Sequence, residues 1–166
     1  MIIKFQKLND KAVCPFKTYD KDFCYDVVAT SCEEIAPNIY KYGIGLAFQI
    51  ERGRWEPLVG CKHWSDFGYS LSTDTVDENL SIDFRPRSSV WKTGMVLSNC
   101  VGTIDELYRG EVSAVFYHIM PSMPKYEVGD RIGQIKVGAT YPIEFVEVDE
   151  LSDTERGSGG YGSTGK

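Results

Sequence analysis

The chain has 166 residues, with 24 Asp and Glu against 18 Lys and Arg and a formal net charge of −6. That length suits one domain able to bury its own core, and the acidic balance leaves no basic footprint for binding along a nucleic-acid backbone. No apolar run approaches a membrane span, and Met1-Ile2-Ile3-Lys4-Phe5 has neither a long apolar core nor a cleavage site, so a soluble protein with no membrane contact is expected. Five cysteines, Cys14, Cys24, Cys32, Cys61 and Cys100, form an odd set without a Cys-x-x-Cys pair or nearby paired histidines, which predicts buried free thiols in a reducing cytosol rather than a zinc site or disulfides.

In chain order, period-two or short apolar runs predict strands over Tyr25 to Ala29, Ile39 to Ile50, Leu80 to Phe84, Thr93 to Leu97, Glu111 to Ile119, Gln134 to Val137 and Tyr141 to Val148. Turn formers separate them at Pro37-Asn38, Arg52-Gly53, Ser122-Met123-Pro124 and Val128-Gly129-Asp130. Ser88 to Lys92 reads as a short helical turn with serine caps after Pro86, and Cys32 to Ile35 as a weaker one. No segment of adequate length keeps a helical period. The class predicted is all-β, a sandwich, jelly roll or barrel.

Two segments carry chemistry. Gly102-Thr103-Ile104-Asp105-Glu106-Leu107-Tyr108-Arg109-Gly110-Glu111 puts an aspartate and an aromatic ring three apart between glycines, next to an apolar strand. A hairpin there can aim a carboxylate at water and a ring at a flat ligand, while a plain turn with Asp105 bonding its own backbone accounts for the same residues. The ending, Arg156 to Lys166, holds five glycines with an arginine and Tyr161. Its free amides can gather around phosphate, and such composition is also that of a flexible tail. Gly160 to Lys166 imitates a phosphate-binding loop but has no Ser or Thr after the lysine and no helix to follow.

Five segments in order, Asp22-Phe23-Cys24-Tyr25-Asp26-Val27-Val28-Ala29, Arg85-Pro86-Arg87-Ser88-Ser89, the Gly102 to Glu111 block, Gly129-Asp130-Arg131-Ile132-Gly133-Gln134 and the terminal arm, resemble the motifs of the homotrimeric dUTP diphosphatases. The resemblance spans Asp22 to Lys166. It implies a distorted jelly-roll β-barrel over residues 1–151, an insertion at about 52–79 and a flexible glycine-rich arm over 152–166. It further implies hydrolysis of dUTP to dUMP and pyrophosphate by water attack on the α-phosphate, which keeps uracil out of DNA and supplies dUMP for thymidylate synthesis.

By the same resemblance Asp105 is the base or water-orienting group, Tyr108 stacks on the deoxyribose, and Asn99 reads the uracil edge with main-chain groups of Gly102, Thr103 and Ile104. Arg87, Ser88, Ser89 and Gln134 face phosphate, where a guanidinium fork and amides opening a short helix suit anionic oxygens. Arg156 meets the γ-phosphate, Tyr161 covers the base, and Gly162, Ser163 and Thr164 add phosphate contacts. Asp26 holds a water of Mg2+, which the phosphates mainly carry; an ion pair among Asp26, Asp130 and Arg131 is the alternative, with Arg131 expected to be structural. Sites shared between subunits of a homotrimer follow, with cytoplasmic location, or host cytoplasm or nucleus for a viral protein.

Cys24 stands where the first motif usually has glycine, and Tyr161 where phenylalanine is usual. The aromatics Trp55, Trp64, Phe67 and Tyr69 lie in the insertion and offer a surface for a protein partner. Two other readings remain open at this point: a dCTP deaminase, for which Glu111 is the nearest hairpin glutamate, and a regulator of dUTPase fold acting through the insertion.

Overall fold

Alternating side chains build most of the observed strands. In a computed structural model of the chain, residues 2–51, 79–140 and 143–159 are described. Ten strands appear there: β1 (Ile2–Lys7), β2 (Tyr25–Val28), β3 (Ser31–Ala36), β4 (Ile39–Gly43), β5 (Leu46–Glu51), β6 (Asn79–Arg85), β7 (Met95–Leu97), β8 (Gly102–Asp105), β9 (Ser113–His118) and β10 (Arg131–Thr140). β6 is the clearest case, with Leu80, Ile82 and Phe84 buried and the residues between them turned outward.

Pairing between strands is antiparallel throughout. A front sheet has the order β2-β10-β6-β8, a back sheet the order β3-β4-β9-β7, and β1 and β5 form a two-stranded ribbon. The non-sequential order and facing sheets make a jelly-roll-like barrel. Its core is aromatic: Phe116 of β9 meets Tyr42 of β4, Phe84 of β6 and Tyr126 at ring-centroid distances of 5.9, 6.5 and 5.5 Å, all edge to face. One ring thus joins both sheets and the loop before β10, in geometry that adds to area burial.

Some expectations are corrected. Cys32 to Ile35 lies in strand β3, whose residues are almost all exposed and so carry no apolar period. Pairing with β4 through the turn at Asn38 (φ 61°) makes it a strand. The run Ile39 to Ile50 breaks into β4 and β5 at Ile44 and Gly45, where Gly45 takes φ +68°. The turn Ser88–Thr93 is a 3-10 helix whose N-cap is Arg87, with no side-chain cap, so the serines do not serve that role. Residues 143–148 form no strand: Ile143, Phe145, Val146 and Val148 are exposed, because an apolar strand needs a partner edge and none meets it within the described chain. Cys14, Cys32 and Cys100 are exposed and Cys24 half-buried rather than buried, and Cys61 lies outside the described residues. Among those residues no helix is long and apolar enough to cross a membrane.

Burial pushes the phenols of Tyr42 and Tyr126 up from their ordinary value. Unfolding returns both to a value of about 10, so their stabilisation is complete below that pH and is lost as pH rises from it toward the raised folded values. The Tyr42 hydroxyl also donates to the Tyr126 carbonyl at 2.8 Å. Tyr42→Phe should therefore cost about 1 kcal/mol at neutral pH and flatten the fall of melting temperature above pH 10; an unchanged alkaline slope would refute this assignment.

Candidate active site in two clefts

The hairpin after β8 is set by short-range bonding. The Tyr108 amide donates to the Asp105 carbonyl at 3.0 Å, closing the turn, and the Tyr108 hydroxyl donates to the Glu111 carbonyl at 3.1 Å. β8 is held against β6 with Asp105 opposite Ser81 and Thr103 opposite Asp83, whose carboxylate accepts from the Thr103 hydroxyl at 3.3 Å. The result is a cleft of about 180 Å³ lined by Asn99, Gly102, Thr103, Ile104, Asp105 and Tyr108 together with Phe84, Glu111, Val112 and Ser113. Of the residues predicted around the base, sugar and attacking water, the six of this hairpin region are brought together, while Tyr161, predicted to cover the base, lies outside the described residues. The Asp105 and Asn99 side chains are exposed and make no hydrogen bond to the described residues, which leaves a carboxylate free to take a proton and an amide free to pair with a ligand edge.

Glu111 lines this cleft too, but its Oε1 accepts the Gly45 amide at 2.8 Å. A deaminase would need that carboxylate for proton transfer, and here it serves the fold.

A second cleft, of about 410 Å³, lies at the other edge of the front sheet and is lined by Thr18, Tyr19, Asp22, Phe23, Cys24, Asp26, Arg87, Arg131 and Gln134. At its floor Asp26 is only 4% exposed. Its Oδ2 accepts from Arg131 Nη1 at 3.0 Å and its Oδ1 from Gln134 Nε2 at 3.1 Å. Arg87 Nε stands 3.2 Å from Oδ1 without hydrogen-bond geometry and is buried without a hydrogen-bond partner. Residues 131 and 134 of a regular strand face opposite sides; the irregularity between Arg131 and Gly133 against β2 inserts one residue and turns both toward Asp26. Gly133 is required where it is, since a Cβ would overlap the Phe84 ring.

The predicted phosphate residues Arg87 and Gln134 therefore meet Asp26, while Ser88 and Ser89 follow on the 3-10 turn and are not among the lining residues. Arg131, expected to be structural, both pairs with Asp26 and lines the cleft; Asp130 instead accepts the Glu127 amide at 2.8 Å. Thr18, Tyr19 and Phe23 were missed, because a loop ahead of β2 carries no periodic signal. Arg156 bonds the Gly159 carbonyl at 2.9 Å in an exposed turn and lines neither cleft. Tyr161, Gly162, Ser163 and Thr164, and the insertion up to residue 78, lie outside the described residues.

An exposed carboxylate in a small cleft, with a guanidinium-lined cleft on the same all-β barrel, is the kind of site that suits a nucleotide. A family model for dUTPase matches residues 75–165. The chain is 34% identical over 168 residues to the deoxyuridine 5'-triphosphate nucleotidohydrolase of Nautilia profundicola, covering all of both chains, and 32% identical to that of Helicobacter pylori strain 26695, covering 99% and 97%. It belongs to the dUTPase family. The same fold recurs in the dUTPase of Staphylococcus bacteriophage 80alpha with dUpNHpp, at 20% identity, TM-score 0.71 and 99% coverage of each chain. It recurs also in a dUTPase variant of phage phi11 of S. aureus, described with a structural Mg(II) ion, at 15% identity, TM-score 0.63 and coverage of 92% and 100%.

Asp26→Asn would leave two guanidinium groups without their counter-charge in a buried setting. The expected loss is about 1–3 kcal/mol, below the cost for a fully buried pair because Arg131 is partly solvated. Arg131→Ala should cost less, since Arg87 and Gln134 remain beside the carboxylate. Denaturant unfolding of the two variants checks the order, and a more stable Asp26→Asn protein would contradict it.

Proposed function

We infer that the chain hydrolyses dUTP to dUMP and pyrophosphate, a reading carried by the meeting of Asn99, Asp105 and Tyr108 in one cleft of a dUTPase-family barrel. Asn99 and the main chain of Gly102, Thr103 and Ile104 pair with the uracil edge, and a wrong base leaves these polar groups unpaired. Tyr108 lies against the deoxyribose and leaves no room for a 2′-hydroxyl. Asp105 accepts a proton from water as its oxygen bonds to the α-phosphorus; the bridging bond to the β-phosphate breaks and pyrophosphate leaves. Arg87 and Gln134, with Ser88 and Ser89 at the entry of the 3-10 turn, hold the negative charge of the phosphate chain.

One chain cannot apply both clefts to one triphosphate. Asp26 and Asp105 sit on opposite edges of the front sheet, three strands apart, and their registers on the intervening strands differ by four residues, since Asp26 aligns through Gln134 with Arg85 while Asp105 aligns with Ser81. At strand and residue spacings this separates them by about 20 Å, far beyond the length of linked phosphates. The hairpin cleft of one subunit is completed by the arginine-lined cleft of another in a homotrimer. The exposed apolar side chains of residues 143–151 supply surface for that association.

Magnesium would be carried by the phosphates of the substrate, with Asp26 able to hold one of its waters. Among the described residues no group of three or more His, Cys, Asp or Glu could hold a metal ion. Asp26 has two oxygens tied to Arg131 and Gln134, which unfits it as a direct ligand but leaves lone pairs for a metal-bound water. The ion's contribution is to neutralise phosphate oxygens as a Lewis acid.

A shared site makes a sharp prediction. Asp105→Asn and Arg87→Ala are each inactive alone, but refolded together in equal amounts they should recover about a quarter of wild-type activity, from sites that combine one good cleft of each kind. A site built within one chain gives no recovery. Removal of residues 156–166, which include Arg156, Tyr161, Gly162, Ser163 and Thr164, should leave a folded trimer whose turnover is lower by about a hundredfold or more, because the arm no longer closes on the phosphates; wild-type turnover of the shortened protein excludes that role.

A further inference from the structure

Glu111 carries two bonds that no part of the proposed reaction uses. Its carbonyl accepts the Tyr108 hydroxyl at 3.1 Å, and its carboxylate accepts the Gly45 amide at 2.8 Å. Gly45 lies in the corner between β4 and β5, with φ +68° and with Ile44 and Leu46 buried on either side. The next residue is pinned to the same corner, Ile44 N donating to the Val112 carbonyl at 3.1 Å and Val112 N to the Leu46 carbonyl at 2.9 Å. The Tyr108 ring itself lies on Gly110, where an added Cβ would come within 2.6 Å of Cζ.

Tyr108 is about half exposed and is held from its hydroxyl end by one carbonyl. That carbonyl shares its peptide unit with the Val112 amide, which is bonded to Leu46, and the Glu111 carboxylate on the Gly45 amide adds a second tie, from the residue's own side chain, to the same buried corner. A ring that must exclude one additional hydroxyl group needs placement to a fraction of an ångström, which a surface loop does not supply without such an anchor.

We propose that Glu111 is a positioning residue for sugar selection: its carboxylate, bonded to the Gly45 amide, fixes the carbonyl that holds Tyr108 and so sets the wall that refuses a ribonucleotide. This rests on the assignment of Tyr108 to the deoxyribose. Any side chain at 111 with an oxygen at the same reach performs the task, because the Gly45 amide asks for an acceptor and not for a charge.

The test is the ratio of kcat/KM for dUTP to that for UTP in the full-length protein. Glu111→Ala should lower the ratio on the order of tenfold, with Glu111→Gln staying within about threefold of wild type. Tyr108→Phe, which removes only the hydroxyl, should lower it in the same way, and combining it with Glu111→Ala should add little, since both remove one restraint. Equal loss on both substrates in Glu111→Ala, or a Gln variant as impaired as the Ala variant, overturns the proposal. Should Glu111→Ala not fold, Glu111→Asp and Tyr108→Phe decide, and a wild-type ratio in either overturns it. Tyr108→Ala separates the two layers. If its ratio is unchanged, the sugar assignment itself fails; if it falls while Glu111→Ala does not, only the role of Glu111 fails.

Discussion

Hydrogen-bonded strands stand at a nearly fixed spacing, and that spacing governs this molecule. The order β2-β10-β6-β8 places Asp26 and Asp105 on one face of one sheet but at its two edges. No side-chain rearrangement closes such a gap, because moving either residue breaks a ladder of backbone bonds. In the proposed reading the chemistry is therefore distributed, with a base-and-sugar cleft at one edge and a phosphate cleft at the other, and association of chains is part of the catalytic design. A helical scaffold could have gathered the same side chains on one face within a turn or two. The β-barrel gives rigid placement within each cleft in exchange for separation between them.

The two carboxylates show how environment divides roles. Asp26 is buried and bonded through both oxygens, with Arg87 beside it. Its charge is spent on holding Arg131 and Gln134 in place and on keeping Arg87 nearby, which in the proposed reading presents phosphates with guanidinium groups already ordered. Arg87 Nε lies 3.2 Å from the same carboxylate as an ion pair without hydrogen-bond geometry. Asp105 has the opposite character, exposed at a strand end and without a hydrogen-bonding partner among the described residues.

Much of this was legible in the sequence where side chains alternate or where turn chemistry is local. Leu80, Ile82 and Phe84 announce β6, and Pro37-Asn38 announces the turn at Asn38. The grouping of Asn99, Asp105 and Tyr108 followed from ordered motifs resembling a family, since spacing alone suits a plain turn equally well. β3 escaped because its exposed, polar residues have no period and only pairing makes it a strand. The pairing of Asp26 with Arg131 was one of the alternatives read from the sequence, but the second grip from Gln134 escaped, because it depends on an inserted residue in β10 that turns Arg131 and Gln134 to one face and leaves no trace in hydrophobic pattern. The anchor from Glu111 to Gly45 joins positions 66 residues apart, a relation that only the packed fold creates.

The segment after β10 joins these threads. Ile143, Phe145, Val148 and Leu151 have the alternation or apolar character of a strand, yet all are exposed and the described part of the run has no pairing. Leaving such side chains in water forgoes roughly 25 cal/mol for each Å² of apolar surface, a loss that a stable chain of this size does not carry without return. The trimer proposed above answers both points: in it the apolar run is covered by another copy and the arginine-lined cleft of one subunit meets the hairpin cleft of the next, so the run that looks misplaced in one chain and the site left incomplete in that chain share a single physical remedy.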